Sequence, residues 1–337
     1  MGGIPKPEST RHGAPPSLTL PNKGRGSWTH MARRKKGNPV HGWLVLDKPL
    51  NMTSTQAVGF VRRGFNAQKA GHAGTLDPLA TGILPIALGE GTNTVPFAVD
   101  GEKAYRFTVA WGAETATDDT EGAVVKTSPA RPSRAEIEAL IPRFIGEIMQ
   151  VPPQFSAIKV DGERAYDLAR DGEEVHLVAR PVYIERLELI DMPDASTNVF
   201  EAECGRGTYV RAIARDMGRL LGCYGHVIAL RRTRVGPFEE SRAVTVEKIE
   251  AAMNADDGGE ALGRLLAPVE SALSDLPELM VSPADAASLV RGQAILIRGR
   301  DAPVLSGPAF ATSKGRLIAL GELDKGALHP TRVFNLG

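Results

Sequence analysis

Fourteen consecutive residues, Gly71-His72-Ala73-Gly74-Thr75-Leu76-Asp77-Pro78-Leu79-Ala80-Thr81-Gly82-Ile83-Leu84, place one carboxylate and one imidazole among residues whose main property is backbone shape. Gly71, Gly74 and Gly82 permit positive φ or close approach by another chain segment. Pro78 fixes its own φ and pushes Asp77 out of the helical region. Asp77 is therefore expected on a rigid turn. Asp before Pro also starts ordinary turns, but turn chemistry does not account for His72 five residues earlier or for the apolar Leu79, Ile83 and Leu84 that follow. A carboxylate on a stiff loop beside an apolar wall is how a nucleophile or general base is mounted.

Such a loop needs a scaffold, and local signals outline one. Trp43 to Leu46 reads as a short strand, with ordered structure beginning near Gly42. Thr53-Ser54-Thr55-Gln56 has capping-box spacing and predicts a helix through Val58, Val61 and Phe65. Tyr105 to Trp111 alternates like a strand. Ser133 to Glu136 is a second capping box, opening a helix with Ile137, Leu140, Ile141 and Phe144 on one face. Strands follow at Val182 to Ile190 and Val199 to Cys204, then a helix from Tyr209 to Leu221. Strands and helices without a regular βαβ repeat argue against a doubly wound parallel sheet. Ala251 to Gly263 reads as a surface excursion. Beyond it, Ile295 to Arg298, Arg316 to Leu320 and Arg332 to Asn335 are short strand candidates punctuated by Gly and Pro, which predicts a small β-rich module.

The run GHAGTLDPLATGILP (Gly71 to Pro85) resembles the signature of the TruB-type tRNA pseudouridine synthases, in which the Asp of the TLDP step is catalytic. Three further blocks match in order: Leu46-Asp47-Lys48-Pro49-Leu50-Asn51-Met52-Thr53-Ser54, similar to the family's DKPxGxTS segment; Gly207-Thr208-Tyr209-Val210-Arg211; and His226-Val227-Ile228-Ala229-Leu230-Arg231-Arg232. One position departs, Asn51 standing where the family has Gly. Asn is the next-best residue for a left-handed conformation, so the turn can survive.

The resemblance implies an α/β (α+β) chain: a pseudouridine synthase catalytic fold with a mixed, largely antiparallel sheet over residues 39–275, and a small β-rich PUA-like RNA-binding domain over 276–337. It implies isomerisation of uridine to pseudouridine in the T loop of tRNA, at the position conventionally numbered 55. Asp77 is then the nucleophile or base, and Arg211 the cation set against it. Tyr105 stacks on the target base, and its hydroxyl can serve in proton transfer. Tyr209 and Leu230 line the uracil pocket, His72 fills the place of the flipped base, and Lys48 contacts phosphate near the site. The reaction is redox-neutral and adds no outside group, so no cofactor is expected.

Composition agrees with a soluble globular chain of about two domains at 337 residues, 42% hydrophobic and 24% charged. No apolar run suits a membrane span or signal peptide, so a cytoplasmic protein is expected, and a monomer. Cys204 and Cys223 form no CxxC, and no histidine pair has ligand spacing; two reduced core thiols are expected, without metal or disulfide. Formal net charge is zero, yet residues 1–38 carry eight Lys or Arg against one acid and the remainder 32 against 39. That basic, Pro- and Gly-rich arm is expected to be disordered, with Met31 a plausible true start. RNA affinity must come from local patches, because charges are screened beyond about 10 Å. Arg206, Arg211, Arg215, Arg219, Arg231, Arg232 and Arg234 supply candidates, with Arg211, Arg215 and Arg219 forming a helical stripe expected to lie on the tRNA track.

Two rival classes remain. Gly205-Arg206-Gly207 follows a strand and opens a helix as a dinucleotide fingerprint does, but Val210 replaces the third glycine, and neither a P-loop nor a GxSxG elbow is present. A non-catalytic tRNA binder or folding chaperone fits the same charge pattern, and Asp77→Asn separates it from an enzyme.

Overall fold

The computed structural model describes residues 36–156, 177–297 and 306–337, together with the backbone of 159–160 and 163–164. In chain order the elements are β1 (Gly42–Lys48), α1 (Ser54–Gly64), β2 (Ala70–His72), β3 (Ala80–Leu88), α2 (Val95–Asp100), β4 (Lys103–Trp111), β5 (Ala113–Thr115), β6 (Val124–Thr127), α3 (Arg134–Leu140), β7 (Gly146–Gln150), β8 (Lys159–Val160) and β9 (Glu163–Arg164). Then come β10 (Arg180–Asp191), β11 (Thr197–Cys204), α4 (Val210–Leu220), β12 (Gly225–Val235), β13 (Phe238–Glu239), α5 (Val246–Met253), α6 (Glu260–Gly263) and β14 (Glu278–Met280). The chain closes with α7 (Pro283–Val290), β15 (Ile295–Leu296), β16 (Gly307–Ser313), β17 (Arg316–Asp324) and β18 (Ala327–Val333).

A nine-stranded sheet runs β1-β3-β12-β4-β11-β10-β7, with β2 beside β3 and β13 beside β12. Every pairing in it is antiparallel except β3 with β12, which run parallel over Leu230↔Ala80, Arg231↔Thr81 and Arg232↔Gly82. β1 and β3 are buried on both faces and accordingly read as continuous apolar runs, whereas β10 and β11 alternate buried with more exposed positions. The mixed, mainly antiparallel architecture expected from the sequence is therefore present. The core beneath the sheet joins Leu44, Leu84, Ile86, Phe107, Phe200 and Ile213, with Phe107 and Phe200 stacked at 5.4 Å between centroids.

Both capping boxes form, at Thr53 with Gln56 and at Ser133 with Glu136. Pro142 ends the α-helical hydrogen bonding of α3, and Ile141–Phe144 continues as a 3-10 turn. Pairing begins earlier than Gly42: the Asn38 N–H donates to Asn66 O at 2.6 Å and Gln68 N–H to Asn38 O at 3.1 Å. The surface excursion expected over Ala251 to Gly263 is present: the segment is largely exposed and comprises the end of α5, a connecting loop and the short α6. β12 was not anticipated, its His226-to-Arg232 block having been read only as a motif.

The C-terminal five-stranded sheet runs β14-β16-β17-β18-β15 around Leu279, Leu289, Ala311, Ala319, Leu323 and Leu328. α7, capped by Ser282 and carrying Pro283 at its first position, packs on it, an element the strand-only reading missed. The last strand is Ala327–Val333 rather than Arg332 to Asn335, and Arg298 lies outside the described residues. Cys204 and Cys223 are free and buried, as expected. Among the described residues, no helix is long and apolar enough to cross a membrane, and no cluster of His, Cys, Asp or Glu is arranged to hold a metal.

The glycines of the Asp77 loop differ in function. Gly82 has φ +97°, and a Cβ there would come within 2.2 Å of Arg232 O across the parallel seam. Gly71 uses neither the positive φ nor the close approach that glycine permits, and open space surrounds it. Gly82→Ala should cost at least about 2 kcal/mol, lowering the thermal unfolding midpoint, while Gly71→Ala should leave that midpoint within error of the wild type.

Candidate active site

The loop between β2 and β3 carries Asp77, and three side chains and one backbone N–H fix its backbone. Ser54, the first residue of α1, clamps the two peptide groups of Leu76: its hydroxyl donates to Leu76 O at 3.0 Å and accepts from Leu76 N–H at 2.9 Å. Asn51 adopts φ +65°, the left-handed turn expected of it, and its N–H donates to Pro78 O at 2.8 Å. The fully buried Lys48 ammonium donates to Met52 O at 2.8 Å, Pro49 O at 2.9 Å and Pro78 O at 3.3 Å. Arg232, also buried, donates through Nε to Ile83 O at 2.8 Å, through Nη2 to Gly74 O at 3.1 Å and through Nη1 to Thr75 O at 3.2 Å.

These contacts correct one expectation. Lys48 is not a surface cation offered to phosphate; its charge is spent on carbonyls that turn away from the sheet at the end of β1. Burial lowers its pKa to about 8, with the Asp77 carboxylate opposing that fall.

Arg211 lies at the start of α4. Its Nη2 stands 3.0 Å from an Asp77 carboxylate oxygen and also donates to Phe155 O at 3.0 Å, while its Nη1 reaches Asp119 at 3.0 Å and Thr117 O at 2.9 Å. The Arg211 and Asp119 side chains are 5% and 1% exposed, whereas Asp77 keeps 34%. The carboxylate is thus anchored at one oxygen and still reachable. Burial opposes the Arg211 charge, but Asp77 and Asp119 hold its pKa above the usual arginine value.

The Asp77 carboxylate faces a cavity of about 80 Å³ lined also by Tyr105, Tyr209, Arg211 and Leu230. Tyr209 caps α4, and Gln150 grips its backbone twice, accepting from Tyr209 N–H at 2.9 Å and donating to Tyr209 O at 3.2 Å. The Arg180 guanidinium lies 5.5 Å from the Tyr209 ring centroid. Tyr105 sits on β4 with Arg232 across from it on β12. Burial pushes the Tyr105 hydroxyl up to about 12, opposed by the Arg232 charge. Five of the seven residues singled out from the sequence, Asp77, Tyr105, Tyr209, Arg211 and Leu230, therefore share one cavity. His72 ends β2 on the approach to the loop, and Lys48 lies beneath it.

The Arg211, Arg215 and Arg219 stripe exists, but its first two members are buried, and all three are paired with acids. Arg215 is 7% exposed and pairs with Asp118 at 3.0 Å and Asp216 at 2.8 Å; Arg219 pairs with Glu114 at 2.7 Å. The segment carrying Glu114, Asp118 and Asp119 lies along the helix and neutralises the stripe. Arg206, Arg231 and Arg234 are likewise paired, with Asp100, with Asp47 and Glu240, and with Glu203. Sequence reasoning missed Ser54, Gln150, Asp119 and the inward role of Arg232. The available signal was the adjacent Asp118 and Asp119 just after a strand, two acids where a turn needs at most one.

A reachable carboxylate held by a buried arginine, beside a phenol and an aliphatic wall, can attack an electrophilic carbon or accept a proton from a small flat ring. Fold and site together define a pseudouridine synthase. The same fold occurs in a solved Cbf5–Nop10–Gar1 complex (25% identity, 87% of this chain and 84% of that one, TM-score 0.67) and in an H/ACA ribonucleoprotein bound to a substrate RNA containing 2′-deoxyuridine (22%, 91% and 92%, TM-score 0.68). More narrowly, the chain belongs to the TruB family. Residues 62–210 match the family model of the TruB pseudouridylate synthase N-terminal domain, and residues 211–274 that of the tRNA pseudouridylate synthase B C-terminal domain. It is 62% identical to tRNA pseudouridine synthase B of Rhodopseudomonas palustris over 94% of this chain and 86% of that protein, and 62% identical to that of Nitrobacter winogradskyi over 90% and 85%.

The His72 imidazole adds a pH dependence. Its Nδ1 is buried without a hydrogen-bond partner among the described residues, and burial followed by the Arg232 charge lowers its pKa from 6.5. The unfolded chain then takes up a proton at a higher pH than the native one, so stability is complete above 6.5 and declines as pH falls below it. Denaturant unfolding at about pH 5.5 and pH 7 should show a smaller difference in His72→Gln than in the wild type.

Proposed function

We propose that this chain converts uridine to pseudouridine in the T loop of tRNA, at the position conventionally numbered 55, with Asp77 as the reacting carboxylate. The observation carrying this reading is the Asp77–Arg211 pair at 3.0 Å opening onto the cavity that Tyr105, Tyr209 and Leu230 line. The N1–C1′ bond breaks, the uracil turns within the cavity, and C5 joins C1′; the C5 proton departs and N1 gains one, so atoms and electrons balance without a cofactor. Asp77 begins the reaction at the ribose or the ring. Arg211 aims it.

Tyr105 supplies a face for the flipped base. Burial pushes the Tyr105 hydroxyl up to about 12, so it is protonated in the resting site; it gives that proton to N1 of the detached uracil, and the phenolate left behind, beside the Arg232 charge, takes the C5 proton. Leu230 and Tyr209 confine the ring so that the detached uracil stays bound. The neutral His72 ring takes the space the flipped base leaves in the loop, which suits a stacking group better than a charged one. The C-terminal sheet with α7 serves as a PUA-like RNA-binding domain, and the protein acts on tRNA in the cytoplasm as a monomer.

Wild type and Asp77→Asn, incubated with an unmodified tRNA transcript and mapped by carbodiimide-dependent reverse-transcription stops, test the reading. The expected result is a stop at the T-loop uridine with wild type alone, the variant losing at least about 10³-fold in rate while still binding tRNA. A stop elsewhere would keep the chemistry and overturn the substrate. No stop from tRNA-binding wild type would make the protein a binder or folding chaperone.

A further inference from the structure

The Arg211–Asp119 contact at the cavity is the first rung of a longer ladder. Arg211, Arg215 and Arg219 occupy successive turns of α4, and the segment from Glu114 to Asp119 meets them in reverse order: Asp119 on Arg211, Asp118 on Arg215, Glu114 on Arg219. The first two rungs are buried, with side chains between 1% and 8% exposed, while Arg219 is 47% exposed. Adjacent residues on one strand of chain ordinarily point opposite ways, yet Asp118 and Asp119 both reach the same helix face. What permits this is the backbone at Asp118, which has φ +61°. A non-glycine residue in that region costs of order 1 kcal/mol or more and persists only where its surroundings hold it.

Those surroundings are specific. The Asp118 carboxylate accepts from Arg215 Nη1 at 3.0 Å, its carbonyl accepts from Val227 N–H at 3.1 Å, and its N–H donates to Thr115 O at 3.2 Å. Arg215 is itself fixed by Asp216 at 2.8 Å and by Val151 O at 2.7 Å. The turn is thereby locked to α4 one helical turn beyond Arg211, about 5.4 Å along the axis. From that lock Thr117 O and the Asp119 carboxylate are presented to one nitrogen of Arg211, Nη1, leaving Nη2 for Asp77.

We propose that Asp118 and Arg215 are a positioning pair: they set the register of the 117–119 turn on α4 so that Asp119 takes one edge of the Arg211 guanidinium and Asp77 the other. Neither residue lines the cavity that holds Asp77, so both act through Arg211. The proposal rests on the pseudouridine synthase reading for its kinetic test, and carries a second test that does not.

Single-turnover conversion with excess enzyme, measured on tRNA tritiated at uracil C5, is compared among wild type, Asp118→Asn, Arg215→Lys, Asp119→Asn and the Asp118→Asn/Asp119→Asn double variant. Asp118→Asn should lower the rate about tenfold through misplacement of Asp77 while tRNA affinity is unchanged, and Arg215→Lys, which keeps the charge, should lose less. The double variant should be no slower than Asp119→Asn alone, because both changes act through one guanidinium. Glu114→Gln removes the exposed rung of the same helix and should leave the rate intact. An unaltered rate in Asp118→Asn, a loss fully additive with Asp119→Asn, or an equal loss in Glu114→Gln would each overturn the pair as a positioning device.

The guanidinium resonances of ¹⁵N-arginine-labelled protein give the independent measurement. Arg211 N–H signals, sharp and separately resolved in wild type, should broaden or merge in Asp118→Asn; unchanged signals would overturn the proposal. If wild type fails to turn over tRNA, the functional reading falls, and these resonances still decide the pair.

Discussion

A guanidinium taken out of water loses hydration worth several kcal/mol, and it remains charged only where the protein returns that stabilisation through close, well-aimed anions and carbonyls. Arg211 is such a group. One carboxylate would satisfy the charge, but would then be drawn fully onto it and lost to chemistry. Two carboxylates divide it: Asp119, wholly buried, and Asp77, which keeps a third of its side chain exposed. The division of one cation between a buried and an accessible anion is the constraint to which the helix, the acidic turn and the loop are fitted. The two carbonyls of Thr117 and Phe155 accept from the Nη atoms without adding charge, while Nε is buried with no hydrogen-bond partner among the described residues.

The loop itself is shaped by cations as well. Lys48 and Arg232 approach it from opposite sides and consume its carbonyls, so the main chain between Gly74 and Pro78 has little freedom to turn Asp77 elsewhere. Among the described residues neither makes a salt bridge within 4.0 Å. The Asp77 carboxylate raises the Lys48 pKa against burial. Lys48 and Arg211 thus place positive charge near Asp77, and such charge favours anionic character developing on a bound ring or an attacking oxygen.

What the sequence disclosed was local. The capping boxes at Thr53 and Ser133, the left-handed Asn51, and the positive φ of Gly74 and Gly82 depend on neighbours within a few residues, and all appear where their residue types require. The residues gathered at the cavity were reached through motif resemblance. Partner choice was not legible. Arg215 and Arg219 have the spacing of a solvated or RNA-facing stripe, and only the fold brings Asp118 and Glu114 against them from about a hundred positions away. Lys48 and Arg232 look like surface cations for the same reason. Gly71 uses none of its freedom, glycine being compatible with ordinary backbone as well as special backbone. The helix α7 is signalled by Ser282 followed by Pro283, the cap and first position of a helix, in a stretch where the strand pattern does not extend.

The parallel seam between β3 and β12 has a consequence in time as well as in space. Arg232 reaches Gly74, Thr75 and Ile83 across 149 to 158 residues of sequence, and no nearer cation replaces it. During synthesis, Asp77 and Tyr105 leave the ribosome long before Arg211 and Arg232 have been made. For that interval the nascent chain carries Asp77 without the guanidinium that pairs with it and the one that holds its loop. Contacts of such separation are also the slow ones to form. The completed arrangement around Asp77 is thus among the last features the chain acquires, and a translation product ending before residue 211 lacks both guanidiniums.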